Sequence, residues 1–101
     1  MMKQKHLFMF LFLISFGLAG TDGTIRGKIT DTDGVALPGA NVILPELSMG
    51  AASDMDGNYL ILNIPVGKYD VVVQMIGYKK TTHKGIHILM DQTLWLNFKL
   101  D

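Results

Sequence analysis

Two four-residue stretches, Asp31-Thr32-Asp33-Gly34 and Asp54-Met55-Asp56-Gly57, carry the residue types that open a calcium loop, 23 positions apart. Alternating carboxylates followed by glycine place hard oxygen donors around a sharp bend, which is what a calcium ion requires. A complete loop of that kind also needs a bidentate Glu at its twelfth position. Here those positions are Val42 and Pro65, and no helical pattern follows either loop. The same residues serve equally as turns: an Asp side chain accepts bonds from nearby backbone N–H groups, and Gly supplies the positive φ a tight turn needs. We therefore read Asp31, Asp33, Gly34, Asp54, Asp56 and Gly57 as turn residues, and expect no metal.

His83 and His87 are the next candidates. On a helix their spacing would suit zinc, but in an extended chain they stand ~13 Å apart, too far to share an ion. Glu46 is the sole glutamate, so no His-Glu ligand motif exists, and both histidines are expected on an exposed strand surface. Nucleophile chemistry lacks parts. The chain has no Cys, Ser48 and Ser53 sit in no G-x-S-x-G turn, and no glycine-rich phosphate loop precedes a helix. The residue types point to no enzyme and no cofactor. Among the aromatics, Tyr59 and Tyr69 share the parity of Ile61 and Val71 and belong to the core. Trp95 has the opposite parity to Leu94, Leu96 and Phe98 and is expected to be exposed, a candidate ligand or partner contact.

The elements that must position these residues are strands. Ile25, Gly27 and Ile29 alternate with Thr24, Arg26, Lys28 and Thr30 in a first strand. The turn at Asp31–Gly34 and a bend at Pro38 and Gly39 lead to a second strand, Ala40 to Leu44, ended by Pro45. Gly50–Ser53 suits a short edge strand. Asn58–Ile64 and Tyr69–Met75 form two further strands separated by Pro65-Val66-Gly67, which the sequence suggests is a hairpin connection, and Gly77 marks the turn after them. Lys79–Lys84 is a connection or an exposed strand, Ile86–Met90 is a sixth strand, and Leu94–Leu100 is the last. Seven strands at short intervals, with no helical period after residue 20, predict an all-β, seven-stranded antiparallel β-sandwich of Greek-key type.

Ahead of the sandwich, Lys3 and Lys5 precede the apolar run Leu7–Phe16 and the small residues of Gly17-Leu18-Ala19. That is the layout of a secretory signal peptide over residues 1–19, leaving a domain over 22–101. The apolar run is shorter than the ~20 residues a spanning helix needs. The absence of Cys excludes a lipoprotein and a disulfide staple. Of 101 residues, nine are basic and nine acidic; without Lys3 and Lys5 the balance becomes seven to nine. No basic patch suits a nucleic acid.

The ordered motifs D-x-D-G-x-Y (Asp54–Tyr59), I-P-x-G-x-Y (Ile64–Tyr69) and I-G-Y (Ile76–Tyr78) resemble the carboxypeptidase regulatory-like domain. Gly27-Lys28-Ile29-Thr30-Asp31 and Asp33–Val42 are similar to that family's opening G-x-V-x-D and G-x-P-L-P-G-A-N-V, with Ile29 in place of Val and Ala36 in place of the usual Pro or Glu. The resemblance runs from Thr24 to Leu100. It implies a transthyretin-like sandwich of the kind found at the N-terminus of SusC-like TonB-dependent outer-membrane receptors. By that resemblance the chain is a fragment or shortened form of such a receptor, exported to the periplasm or outer membrane of a Gram-negative bacterium. Its partners would be proteins there, the receptor plug and barrel or the TonB system. The peptidases that lend the family its name keep their zinc in another domain. A stand-alone carbohydrate-binding or adhesion module using Trp95 is the alternative.

Overall fold

The computed structural model describes residues 22–101, so the predicted signal peptide, 1–19, lies outside the described residues. Eight strands follow in order: β1 Asp22–Asp31, β2 Asn41–Leu44, β3 Met49–Ala52, β4 Asn58–Pro65, β5 Gly67–Gln74, β6 Thr81–Ile88, β7 Thr93–Trp95 and β8 Phe98–Leu100. One sheet has the order β4-β1-β7, with β8 also paired to β1; the other has the order β3-β2-β5-β6. Period-2 alternation is what makes two layers stable, because each sheet presents one apolar face. Ile25, Ile29, Tyr59, Ile61, Ile64, Phe98 and Leu100 of the first sheet meet Val42, Leu44, Val71, Val73 and Ile88 of the second. Each such aliphatic side chain contributes ~1.5–3 kcal/mol by leaving water.

The sandwich is the predicted one, and its details depart from the expectation in four places. The last strand is broken in two, giving eight strands, and both pieces run parallel to β1 rather than antiparallel. Around the break, Leu96 N–H donates to Arg26 O at 2.8 Å, and the Lys28 N–H finds the Asn97 side-chain oxygen at 2.8 Å. Gly27 makes room for the break, since a Cβ there would sit 2.1 Å from Leu96 O. Secondly, β4 and β5 are not a hairpin. β4 pairs with β1, whereas β5 pairs with β2 and β6, so Pro65-Val66-Gly67 crosses between sheets. Alternation is the same for two strands side by side and for two strands face to face, which is why the pattern did not separate them.

Two bulges account for the rest. The β1–β4 register slips between Gly23 and Ile25, where Asn63 adopts a left-handed φ of 59°. The extra residue lets both Ile61 and Ile64 point inward although they are three apart. The β5–β6 register slips between Tyr69 and Val71, with Gly85 at φ 68° and its N–H bonded to the Asp70 carboxylate at 3.1 Å. This bulge sits between Lys79–Lys84 and the sixth predicted strand and joins them into the single strand β6, which ends at Ile88 and leaves Leu89 and Met90 in a turn. It also flips the parity of His83. Instead of lying exposed with His87, His83 packs against Phe98 with ring centroids 4.5 Å apart.

Candidate functional site

The two Asp-Gly loops fold alike. Asp31 Oδ1 accepts the N–H groups of Asp33 and Val35, each at 2.9 Å, and Asp54 Oδ1 accepts those of Asp56 and Asn58, each at 2.9 Å. Gly34 N–H donates to Asp31 O and Gly57 N–H to Asp54 O, with φ of 83° and 79° at the glycines. One carboxylate oxygen in each loop is thus committed to its own turn. Asp33 and Asp56 are exposed. No group of three or more His, Asp or Glu side chains converges among the described residues.

Pro38 and Gly39 lie on the way from β1 to β2, where Gly39 has φ 80°. A residue that sequence reasoning passed over holds this bend. Ser53 is buried, its hydroxyl accepts the Ala40 N–H at 2.9 Å and donates to Leu37 O at 2.6 Å, and its own carbonyl accepts the Gly39 N–H. Pro65 closes β4 and Gly67 opens β5, so only Val66 bends between them; Gly67 lies against the Tyr69 ring. Gly77, at φ 91°, completes the turn in which Tyr78 N–H bonds Met75 O at 3.1 Å.

That turn projects Ile76, which is 99% exposed. Val35 and Met55 on the Asp-Gly loops are exposed as well. The three share one end of the sandwich: Ile29 N–H bonds Gly57 O, Asn41 of β2 pairs with Gln74 of β5, and Lys79 N–H bonds Asp101 O. Three solvated apolar tips at one end form a surface suited to contact.

Trp95 gives the second surface. It is 64% exposed on the outer face of the first sheet, and Arg26 lies over its ring, guanidinium carbon to centroid 4.4 Å. Parallel pairing sets Arg26 opposite Trp95, and antiparallel pairing sets Leu60 opposite Arg26 from the other side. A row Leu60–Arg26–Trp95 therefore crosses three strands. Parity alone put Arg26 on an outward position; the place of Leu60 beside it and the register of both with Trp95 are tertiary facts.

Beneath this face Tyr59 is buried, with its ring tilted against Phe98 at 6.3 Å and its hydroxyl donating to Leu96 O. Burial pushes the Tyr59 phenol well above the ordinary tyrosine value. A raised value in the folded state favours the neutral phenol, so the associated stability is fully present below about pH 10, the unfolded value, and is lost as pH rises toward the folded one. Tyr59→Phe is expected to cost ~1–2 kcal/mol at neutral pH, since Leu96 O loses its donor. Its unfolding midpoint is expected to fall less steeply than that of the parent above about pH 10. Melts of both proteins between neutral and strongly alkaline pH check this; parallel curves would show that the phenol is not the group responsible.

Comparison with known proteins agrees with this architecture. Residues 24–101 match the model of the carboxypeptidase regulatory-like domain. TonB-dependent receptor P3 of Formosa agariphila is 39% identical over 72 residues, which cover 70% of this chain and 7% of that receptor. The chain therefore corresponds to a small part of that relative's length. A chain of the type II cohesin–X-dockerin complex of Acetivibrio cellulolyticus superposes with a TM-score of 0.67 at 16% identity, covering 77% of this chain and 56% of that one. A candidate carbohydrate-binding protein of Bacteroides uniformis superposes with a TM-score of 0.62 at 18% identity, covering 80% and 42%. These two likenesses concern the fold alone.

Proposed function

The chain belongs to the carboxypeptidase regulatory-like domain family, and from that membership we propose that it is a non-catalytic, exported contact module of a TonB-dependent receptor system. The observation that carries the reading is the 39% identity to a TonB-dependent receptor, well above the level at which only the fold is held in common. The proposed location is the periplasmic side of the outer membrane, with residues 1–19 as the export signal. The apolar tips Val35, Met55 and Ile76 support the role: hydrophobic side chains held on stapled turns at one end contribute little to the core and are placed to meet a neighbour.

A photo-crosslinking residue placed at Ile76 in cells tests the proposal. We expect an adduct with an outer-membrane receptor polypeptide, absent when the same group replaces His87, exposed at the opposite end of the sheet beside Lys68. Adducts only with cytoplasmic proteins, or none above the His87 control, would overturn it.

The exposed indole favours one second reading, a carbohydrate platform at Trp95, because rings stack on the apolar faces of sugars. Arg26 already covers one face of this ring, leaving the other. Oligosaccharide titration followed by the emission of Trp95, the sole tryptophan, separates the two readings.

A further inference from the structure

We propose that the outer face of the β4-β1-β7 sheet, centred on Leu60, Arg26 and Trp95, docks an extended protein segment with carboxylates at alternate positions. The proposal goes beyond the receptor reading and depends only on charge and register. Outward positions on β1 are Asp22, Thr24, Arg26, Lys28 and Thr30, and Lys99 of β8 stands beside Thr30 on the same face. Three of the seven cations of the described residues thus gather on one sheet face, with Asp22 as the one acid among its β1 and β8 positions, although acids outnumber cations nine to seven. Asp22 is four residues from Arg26 on the same strand, ~13 Å away. Asp54 lines the shallow concavity beside Arg26 and Leu60, but one of its oxygens is held by its own turn.

Geometry narrows the partner. Arg26 and Lys28 are two apart on one strand face, ~6.6 Å, which is the spacing of alternate side chains in another extended chain. Leu60 and Trp95 flank Arg26 at ~4.8 Å on either side, the distance between paired strands, and give an apolar shoulder to the segment. Stacking on the indole holds the guanidinium in place while its N–H donors stay available, so less side-chain freedom is lost when a carboxylate binds. A second copy of this chain is a poor occupant, since it would bring Arg26, Lys28 and Lys99 against a face bearing the same charges. A neutral sugar would leave all three cations unanswered.

The test uses the chain as purified from its host and three synthetic probes: a peptide alternating Glu with Val, its Gln-for-Glu counterpart, and a neutral oligosaccharide. Trp95 emission and backbone amide shifts of β1, β4 and β7 report binding. We expect the Glu peptide to shift Trp95 emission and the Arg26 and Leu60 amides, with affinity falling as salt is raised. Binding should be roughly tenfold weaker for Arg26→Gln, the loss of one charged hydrogen-bond partner. Trp95→Phe should lie between, and melting temperatures of all variants should stay near the parent because these side chains are exposed. Equal binding of the Glu and Gln peptides, an Arg26→Gln affinity equal to the parent's, or amide shifts confined to the Val35–Met55–Ile76 end would overturn the proposal. So would saturable binding of the oligosaccharide alone, or the same shifts produced by raising protein concentration. None of these outcomes touches the Ile76 crosslinking result, so the two proposals fail separately.

Discussion

Gly57→Val is expected to destabilise the domain far more than Gly34→Val, although the two glycines occupy equivalent places in equivalent loops. Their φ values, 79° and 83°, impose the same penalty on a β-branched residue, at least ~1–2 kcal/mol. What differs is the surroundings. A Cβ at Gly34 meets nothing within 4 Å, whereas one at Gly57 lies 2.6 Å from Ile29 O and 3.2 Å from the Ala36 side chain. Ile29 O also accepts the Leu37 N–H, and Ile29 N–H donates to Gly57 O, so the carbonyl cannot retreat without loosening the joint between β1 and the following loop. Losing one or two of those bonds adds ~0.5–1.5 kcal/mol each. The 80 described residues imply a total stability of about 4–12 kcal/mol. Gly57→Val should therefore remove a large share of it, with a fall in the melting midpoint at least ~6–12 °C greater than for Gly34→Val. Equal losses for the two variants would mean that φ strain alone matters and that the packing at Ile29 does not.

Gly27→Ala carries the second large effect, for a reason that has nothing to do with backbone freedom. The added methyl would stand 2.1 Å from Leu96 O and 2.9 Å from the Asn97 side chain. Three hydrogen bonds depend on that chain segment: Leu96 N–H to Arg26 O, Lys28 N–H to Asn97 Oδ1, and Tyr59 O–H to Leu96 O. Displacing residues 96 and 97 is expected to break most of them, at roughly 1 kcal/mol each, and to unseat Phe98 from the core. A destabilisation of about 3–4 kcal/mol would lower the midpoint by more than ten degrees. Ala elsewhere in a strand usually costs nothing relative to Gly. Thermal melts, with hydrogen exchange at the Leu96 and Lys28 amides, decide the matter. Unchanged protection at those amides would show that the break between β7 and β8 tolerates the methyl.

The sandwich was legible because its signals are local. Alternation at Ile25–Ile29, Val71–Val73 and Leu94–Leu100 has period 2, and Asp-Gly pairs at 33–34 and 56–57 specify turns through their own side chains and φ. The outward parity of Trp95 followed from the same count. Where one residue is inserted, counting across it fails: the bulges at Asn63 and Gly85 give the two sides of each strand opposite parity, which is why His83, counted with His87 from beyond Gly85, turns from the expected exposed position onto Phe98.

Sequence alone, then, determined the class of fold, the Asp-Gly turns and the inward residues of strands without an inserted residue, because each of these depends on neighbours a few positions away. The tertiary structure decided which strands lie beside which. It sent β4 and β5 to opposite sheets and laid β7 and β8 parallel to β1. It also decided that Gly27 admits the Leu96 carbonyl and that Leu60, Arg26 and Trp95 form a row. Residues 26, 60 and 95 are brought together by pairing across loops of many residues, and pairing is chosen by the packing of whole sheets, to which no single stretch of the chain has access.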